Sequence, residues 1–253
     1  MTAPATHDLV AVITGASGGI GAATAGLLAA RGARVVLVAR RREALAAVAE
    51  RCGGRAMAIV ADVSERDDVR RVVAEAIAAR GGIDVWINNA GQGITRAPSQ
   101  LTAADVDAMV RANVMTALYG MQETLPHFRA RGTGHVINVS SMLGRVPIAP
   151  FRSAYSGAKH FLNALTSMMR TEVQQTHPGI QYSVVSPPVV YTDFGKNAMH
   201  GGPDSRDLPG GQSVEEVAAV IAGVAASRAA DVYTRPGSQA QVGRYYAEIG
   251  VDP

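Results

Sequence analysis

Short runs of apolar and β-branched residues alternate along the chain with longer stretches in which apolar positions recur every three to four residues, and glycines mark the joins. The first pattern is that of strands, the second that of helices with one buried face. Strands are expected at 9–14, 34–39, 56–61, 84–88, 135–140, 180–186 and 231–234. Helices are expected between them at 19–31, 42–51, 66–80, 103–131, 154–176 and 214–228. A run such as Val35-Val36-Leu37-Val38 has no polar face, so its sheet must be covered on both sides, as in repeated βα units. The expectation is an α/β fold: a doubly wound parallel sheet of about seven strands with helices on both faces. The stretch 193–212 breaks the rhythm with Gly, Pro and polar residues, and a loop of that length is expected to be a lid over a substrate.

Composition adds limits to this picture. A chain of 253 residues with 47% hydrophobic and 18% charged positions has enough apolar surface for one substantial core, so a single domain spanning 1–253 is expected. The net charge is only +3, and the arginines are scattered among acidic neighbours except for Arg40-Arg41-Arg42, which argues against a nucleic-acid partner. A lone Cys52 rules out an internal disulfide and a cysteine zinc site, and fits a reducing, cytoplasmic setting. Residues 1–8 lack the basic and apolar regions of a secretory signal. The uncharged stretch 9–30 is long enough to cross a bilayer, but five glycines interrupt it; strand, turn and helix fit it better than a membrane span. His135, His160 and His200 stand apart from any carboxylate cluster, so no metal site is expected.

Chemistry first shows itself at the end of the first strand. Thr14-Gly15-Ala16-Ser17-Gly18-Gly19-Ile20-Gly21 opens directly into an Ala-rich helix. Such glycines permit a tight turn and let backbone N–H groups reach a pyrophosphate at the positive end of the helix. Gly15, Ser17, Gly19, Ile20 and Gly21 are the candidates. The second strand ends at Ala39-Arg40, where an NAD site would carry an acid for the ribose 2′-hydroxyl. Arg40, with Arg41 assisting, suits a 2′-phosphate instead, because a guanidinium offers it charge-assisted, bidentate hydrogen bonds. Asp62-Val63 and Asn88-Asn89-Ala90-Gly91 lie at further strand ends, the edge where open α/β sheets bind ligands. Asp62 is equally a candidate cap for the helix after it, and the Asn pair equally turn chemistry.

Tyr155 and Lys159 are four apart and share one helix face. Upstream, Ser140-Ser141 ends a buried strand, and Asn113 falls within the expected helix 103–131. Taken together, Thr14-Gly-x-x-x-Gly-x-Gly21, Asn88-Asn-Ala-Gly91, Asn113, Ser141 and Tyr155-x-x-x-Lys159 resemble the short-chain dehydrogenase/reductase family, in its shorter single-domain branch. The likeness runs from about residue 9 to 192. It implies a Rossmann-type domain, a homo-oligomer (dimer or tetramer) and an active site of Asn113, Ser141, Tyr155 and Lys159. Ser140 competes for the serine role, although the family usually uses the second residue of such a pair. Asp62, Val63, Asn89, Ala90 and Gly91 would touch the nucleotide, and Pro187, Val189, Val190 and Thr192 would line its nicotinamide end. Three features depart from the family's habit: the serine-to-tyrosine spacing is one residue longer than its commonest form, Pro187-Pro188 replaces a Pro-Gly pair, stiffening that wall, and Gly18 stands where some NADP-binding members carry a basic residue, so that the cofactor expectation rests on Arg40 and the missing acid.

The implied activity is NADP-dependent hydride transfer to a carbonyl or from a secondary alcohol. Tyr155 would exchange the proton. Lys159 would lower the phenol pKa through its charge and hold the nicotinamide ribose. Ser141 would polarise the carbonyl, and Asn113 would hold a water linking Lys159 to solvent. Met142, Leu143, Pro188, Val189, Phe194 and Met199 would make the substrate pocket apolar. A catalytically silent NADP sensor of the same fold is the competing reading. A nucleotide-sugar epimerase is disfavoured, since there is no room for the larger carboxyl-terminal domain of such enzymes.

Overall fold

All seven apolar runs form strands, and every pairing between them is parallel. The computed structural model describes residues 6–250. The strands are β1 (Val10–Thr14), β2 (Arg34–Ala39), β3 (Ala56–Val60), β4 (Val85–Asn88), β5 (Gly134–Val139), β6 (Ile180–Ser186) and β7 (Asp231–Tyr233), in the spatial order β3-β2-β1-β4-β5-β6-β7. After β3 the chain returns to the other side of β1. The sheet therefore reverses its winding between β1 and β4, and a crevice opens there beyond the carboxyl ends of the strands.

The unbroken apolar strands feed two cores. Val35 and Leu37 join Ile13, Leu28, Leu45, Val217 and Ile221 on one face, which is covered by α1 (Gly19–Ala30), α2 (Arg42–Arg51) and α7 (Val214–Ser227). Their neighbours Val36 and Val38 join Val72, Trp86, Phe128, Val173 and Tyr182 on the other, beneath α3 (Arg66–Arg80), α5 (Thr116–Arg131) and α6 (Ser153–Gln174). Truncating a side chain such as Phe128, which has no exposed surface, would cost about 3–5 kcal/mol.

A polar chain is threaded through the second core. Trp86 Nε1 donates to Asn88 Oδ1 at 2.7 Å, Asn88 Nδ2 to Asn138 Oδ1 at 2.8 Å, and Asn138 Nδ2 to Thr166 Oγ1 at 2.8 Å. Each of these groups is buried and each is satisfied, so the chain fixes the register of β4, β5 and α6 against one another. Those three elements carry most of the site described below.

The expected helix 103–131 is interrupted. It consists of α4 (Ala103–Val110), a π-helical turn at Arg111–Met115, and α5. Inside that turn Asn113 Nδ2 donates to the carbonyl of Met109, four residues back, at 3.0 Å, the kind of side-chain bond that competes with a regular helix. A further helix, α8 (Ser238–Ile249), was not expected. Val242, Tyr245, Tyr246 and Ile249 recur along it at helical spacing, yet of its residues only Ser238 is buried.

Residues 193–212 hold one short 3₁₀ turn, Ser205–Asp207, and are tied to the body at several points. Met199 exchanges backbone hydrogen bonds with Gly93 and Thr95, and Gln212 with Val189 and Tyr191. On α6, Phe161, Ala164 and Met168 face outward in the single chain. No described helix is long and apolar enough to cross a membrane. Among the described residues there is no cluster of metal-ligating side chains.

Candidate active site

The crevice between β1 and β4 is built around glycines that have no room to be anything else. Gly15 takes the left-handed conformation (φ +67°), and a Cβ there would lie 2.9 Å from Ala90 Cα. A Cβ on Gly21 would lie 2.5 Å from Gly15 O and 2.6 Å from Asn89 Nδ2. The turn thus closes on itself and against the chain leaving β4. Asn89 fastens the closure: its Nδ2 donates to Thr14 O at 3.0 Å, while Thr14 Oγ1 accepts from the amides of Asn89 and Ala90. Gly19 (φ +53°) leaves its open side toward Thr192, whose Cγ2 would be 3.3 Å from a Cβ there.

The residues expected to bind a nucleotide divide into two kinds. At α1, Gly18 is the N-cap with no side-chain cap, and no acid stands in the first turn. The leading N–H groups of that helix therefore meet no competing anion of the protein, and an uncapped, positively polarised terminus fits a pyrophosphate. Arg41 folds over the glycine turn, its Nη2 donating to Ser17 Oγ at 3.0 Å. Arg40 lies apart from that turn: its side chain is 75% exposed and pairs with Asp62 at 3.5 Å. Asp62 does not cap α3, whose N-cap is Glu65; its Oδ1 instead accepts from the amide of Ser64. Val63, Ile20 and Val190 are turned into the apolar packing. Val189 is half-exposed, and Pro187 O accepts from the amide of Met142, tying the chain after β6 to the chain after β5.

Ser141, Tyr155 and Lys159 converge, all of them buried. The extra residue between serine and tyrosine is absorbed in a loop with two short 3₁₀ turns, Met142–Gly144 and Pro150–Arg152. Gly144 allows the first of these to sit against α6, since a Cβ there would be 2.9 Å from Lys159 Cβ, and Asn163 Nδ2 holds it by a 2.7 Å bond to Gly144 O. Neither Gly144 nor Asn163 was singled out from the sequence, because nothing local marks a loop-to-helix seat.

Ser141 Oγ accepts from the amide of Leu143 at 3.1 Å, and its hydroxyl favours the ionised form of the Tyr155 phenol. Ser140, the competing serine, is also buried, but its hydroxyl has no partner. Lys159 Nζ donates to Val139 O at 3.0 Å and stands 5.7 Å from the centre of the Tyr155 ring. Burial alone pushes its ammonium down to about 8. Burial likewise pushes the Tyr155 phenol up to about 12, against the opposing pull of the Ser141 hydrogen bond and the Arg152 charge. No hydrogen bond joins the Lys159 ammonium to the phenol oxygen, and desolvation outweighs the nearby charges. Asn113 is fully engaged elsewhere. Its amide donates to Gln92 O at 2.9 Å and accepts from Gln92 N at 3.3 Å, so it anchors the loop that follows Gly91.

Phe194, named above for the substrate pocket, and Arg152, missed from the sequence, stand at the mouth of the site. Phe194, at the start of the 193–212 segment, packs its ring 5.4 Å from that of Tyr155, tilted by 59°. Arg152, at the N-cap of α6, reaches across to donate to Ile94 O at 3.0 Å. Both contacts join segments far apart in sequence, and neither lies in a motif.

Comparison with known proteins agrees with this geometry. The family model of the short chain dehydrogenases matches residues 9–201. An uncharacterized oxidoreductase of Staphylococcus saprophyticus is 35% identical over 188 residues, covering 74% of this chain and 76% of its own. One from Bacillus subtilis is 33% identical over 195 residues, covering 76% of this chain but only 54% of its own. Among solved structures, a short chain dehydrogenase/reductase from Burkholderia phymatum in complex with NAD superposes with a TM-score of 0.88 over 99% of both chains at 24% identity. A 3-ketoacyl-(acyl-carrier-protein) reductase from Brucella melitensis complexed with NADH superposes with a TM-score of 0.81 at 26% identity, covering 90% of this chain and 98% of the other. With its family model spanning more than half its length and its glycine turn, serine, tyrosine and lysine gathered at one sheet edge, the chain belongs to the short-chain dehydrogenase/reductase family of oxidoreductases.

Proposed function

We propose that the protein is an NADP-dependent carbonyl reductase, or alcohol dehydrogenase in reverse, acting through Tyr155. The observation that carries this reading is the convergence of three buried polar groups, Ser141, Tyr155 and Lys159, at the crevice onto which the glycine turn opens. Buried groups of this kind are costly unless they are used or satisfied.

The crevice fits a dinucleotide. The bare first turn of α1 would take the pyrophosphate, and Ser17 with Arg41 offers a seat for a 2′-phosphate, flanked by Arg40. Lys159 keeps two N–H donors beyond its bond to Val139, enough to hold ribose hydroxyls. When bound, the nicotinamide supplies or accepts the hydride. Ser141 then donates a hydrogen bond to the carbonyl oxygen, and Tyr155 gives that oxygen its proton as negative charge builds there. Leu143 and Met199, packed against the cluster that holds Tyr155, and Phe194 on the Tyr155 ring support a largely apolar substrate body.

A screen of carbonyl compounds that follows NADPH absorbance tests the reading. Tyr155→Phe should lower turnover at least a hundredfold, within the 10² to 10⁴ typical of lost acid–base assistance, and leave NADPH affinity nearly unchanged. Lys159→Ala should weaken both. If the ammonium is needed, reduction should also decline above about pH 8, where Lys159 gives up its proton. Near-normal rates in Tyr155→Phe would remove it as the proton donor. Failure of every carbonyl and alcohol in the screen while NADPH still binds would favour a silent sensor.

A further inference from the structure

Arg152 is a cation with no evident structural reason for its position. It occupies the N-cap of a long helix, α6, where the macrodipole disfavours positive charge and where Ser, Thr, Asp or Asn would cap. No acid lies in the first turn of α6 to balance it. Among the described residues its guanidinium, half-buried, has no carboxylate partner, and of its five N–H donors only one is used, on Ile94 O. By contrast Arg96 pairs with Asp105, and Arg206 with Asp193 and Asp204.

The surroundings of Arg152 are shaped to admit it. A Cβ on Gly93 would lie 2.8 Å from Arg152 Nη1 and 2.9 Å from the Phe194 ring; one on Gly202 would lie 3.2 Å from Nη2 and 2.9 Å from Thr95 Oγ1. Two glycines from different segments thus leave the fork its space. The Phe194 ring that borders it also packs on Tyr155, so the guanidinium and the phenol share one wall of the same cleft. The Thr95 hydroxyl beside it is buried without a hydrogen-bond partner. An unpaired fork and an orphan hydroxyl therefore approach one glycine at the mouth of an otherwise apolar site.

We propose that Arg152 is a specificity-determining residue that binds a carboxylate carried by the substrate, so that the compounds reduced are acidic carbonyls: an apolar body with its ketone or aldehyde at Tyr155 and a carboxylate at the mouth. The planar fork matches a carboxylate bidentately, and the half-desolvated setting makes a missing counterion costly. This rests on the reductase reading given above.

The test uses the NADPH-loaded full chain and matched pairs, each an oxo acid and its methyl ester, over a series of chain lengths. For at least one length, kcat/KM for the acid should exceed that for the ester about tenfold or more, the worth of a charge-assisted contact. In Arg152→Gln, which can still bond Ile94 O, the acid-to-ester ratio should fall to near one. Arg152→Lys, keeping the charge without the fork, should restore part of it. The ratio cancels any general effect of the substitution on Tyr155. An acid-to-ester ratio near one in the unmodified protein, or a preference that survives Arg152→Gln, overturns the proposal. If no carbonyl is reduced at all, the reductase reading fails separately, and calorimetry with the alkanoic acids and their methyl esters on the same loaded protein still decides. Binding of the acid that Arg152→Gln abolishes upholds the carboxylate site, and its absence in the unmodified protein overturns it.

Discussion

The glycine turn after β1 and the segment 193–212 border the same cleft, yet they are held there in opposite ways. The turn is fixed by exclusion: Gly15 and Gly21 occupy positions where any Cβ would meet backbone or the Asn89 amide at under 3 Å. The segment is fixed by pairing, through the backbone bonds of Met199 and Gln212 and through His200, whose Nε2 lies 2.7 Å from Asp105 Oδ1. Exclusion leaves a mark on the sequence, because only one residue type satisfies it. Pairing leaves almost none, because many residue types satisfy it and its partners come from distant segments. A nucleotide site must hold the same ligand every time, whereas a substrate mouth must open.

The sharpest way to break this comparison is to add one methyl group to the turn. In Gly21→Ala the new Cβ would lie 2.5 Å from Gly15 O, and since that atom is backbone the turn itself must move. We expect a loss of about 1–3 kcal/mol in stability, as for other overpacked sites, together with at least a tenfold loss of NADPH affinity. Gly26→Ala in the same helix is the control. A Cβ there meets nothing within 4 Å, so it should gain about 0.5–1 kcal/mol. Calorimetric melting and cofactor titration read both, and equal behaviour of the two variants would show that exclusion is not what fixes the turn.

The same contrast explains what the sequence revealed. The inner strands were legible because runs such as Val35-Val36-Leu37-Val38 are apolar on both faces, and Tyr155, Lys159 and Ser141 because their spacing matched a known arrangement. Arg152 was not, for it reaches the cleft through contacts with Gly93 and Ile94 that only the folded chain brings about. The π-turn at Asn113 was hidden for a related reason: the Asn113 amide bonds both to Met109 O and, across a loop, to Gln92 O, while its apolar neighbours Ala112 and Val114 read as ordinary helix. The burial that pushes the Tyr155 pKa up likewise has no local signature.

A second experiment sharpens the comparison on the paired side. Asp105 accepts from the Thr102 amide and from Arg96, and its carboxylate faces His200; those hydrogen bonds, the Thr102 amide first, hold its pKa far below the usual range. It is therefore the point at which α4 grips the 193–212 segment. Asp105→Asn removes the charge from these bonds, and the Met199 amide should then exchange about tenfold faster, in line with the loss of one charge-assisted bond. Amides of β1 should not change. We expect ligand binding to restore the protection, since the segment is proposed to act as a lid. Unaltered exchange at Met199 would mean that the segment is a fixed part of the fold.

The smallest effect expected lies between two adjacent arginines, and it separates charge that is held from charge that is merely near. Arg41 is braced on Ser17 by bonds of 3.0 Å and 3.2 Å, so its guanidinium is already ordered beside the glycine turn and little side-chain entropy remains to be lost when an anion arrives. Arg40 is 75% exposed and paired only with Asp62 at 3.5 Å, and contacts of that kind contribute about 0–1 kcal/mol. Both suit a 2′-phosphate by sign, so composition alone does not rank them. If bracing matters, Arg41→Ala should reduce the preference for NADPH over NADH about tenfold, the value of one charge-assisted contact. Arg40→Ala should reduce it about two- to fivefold, as expected for an exposed pair. Equilibrium titration of both cofactors into each variant decides the order. A larger loss in Arg40→Ala would mean that the nucleotide draws Arg40 away from Asp62 and that the brace on Ser17 is incidental.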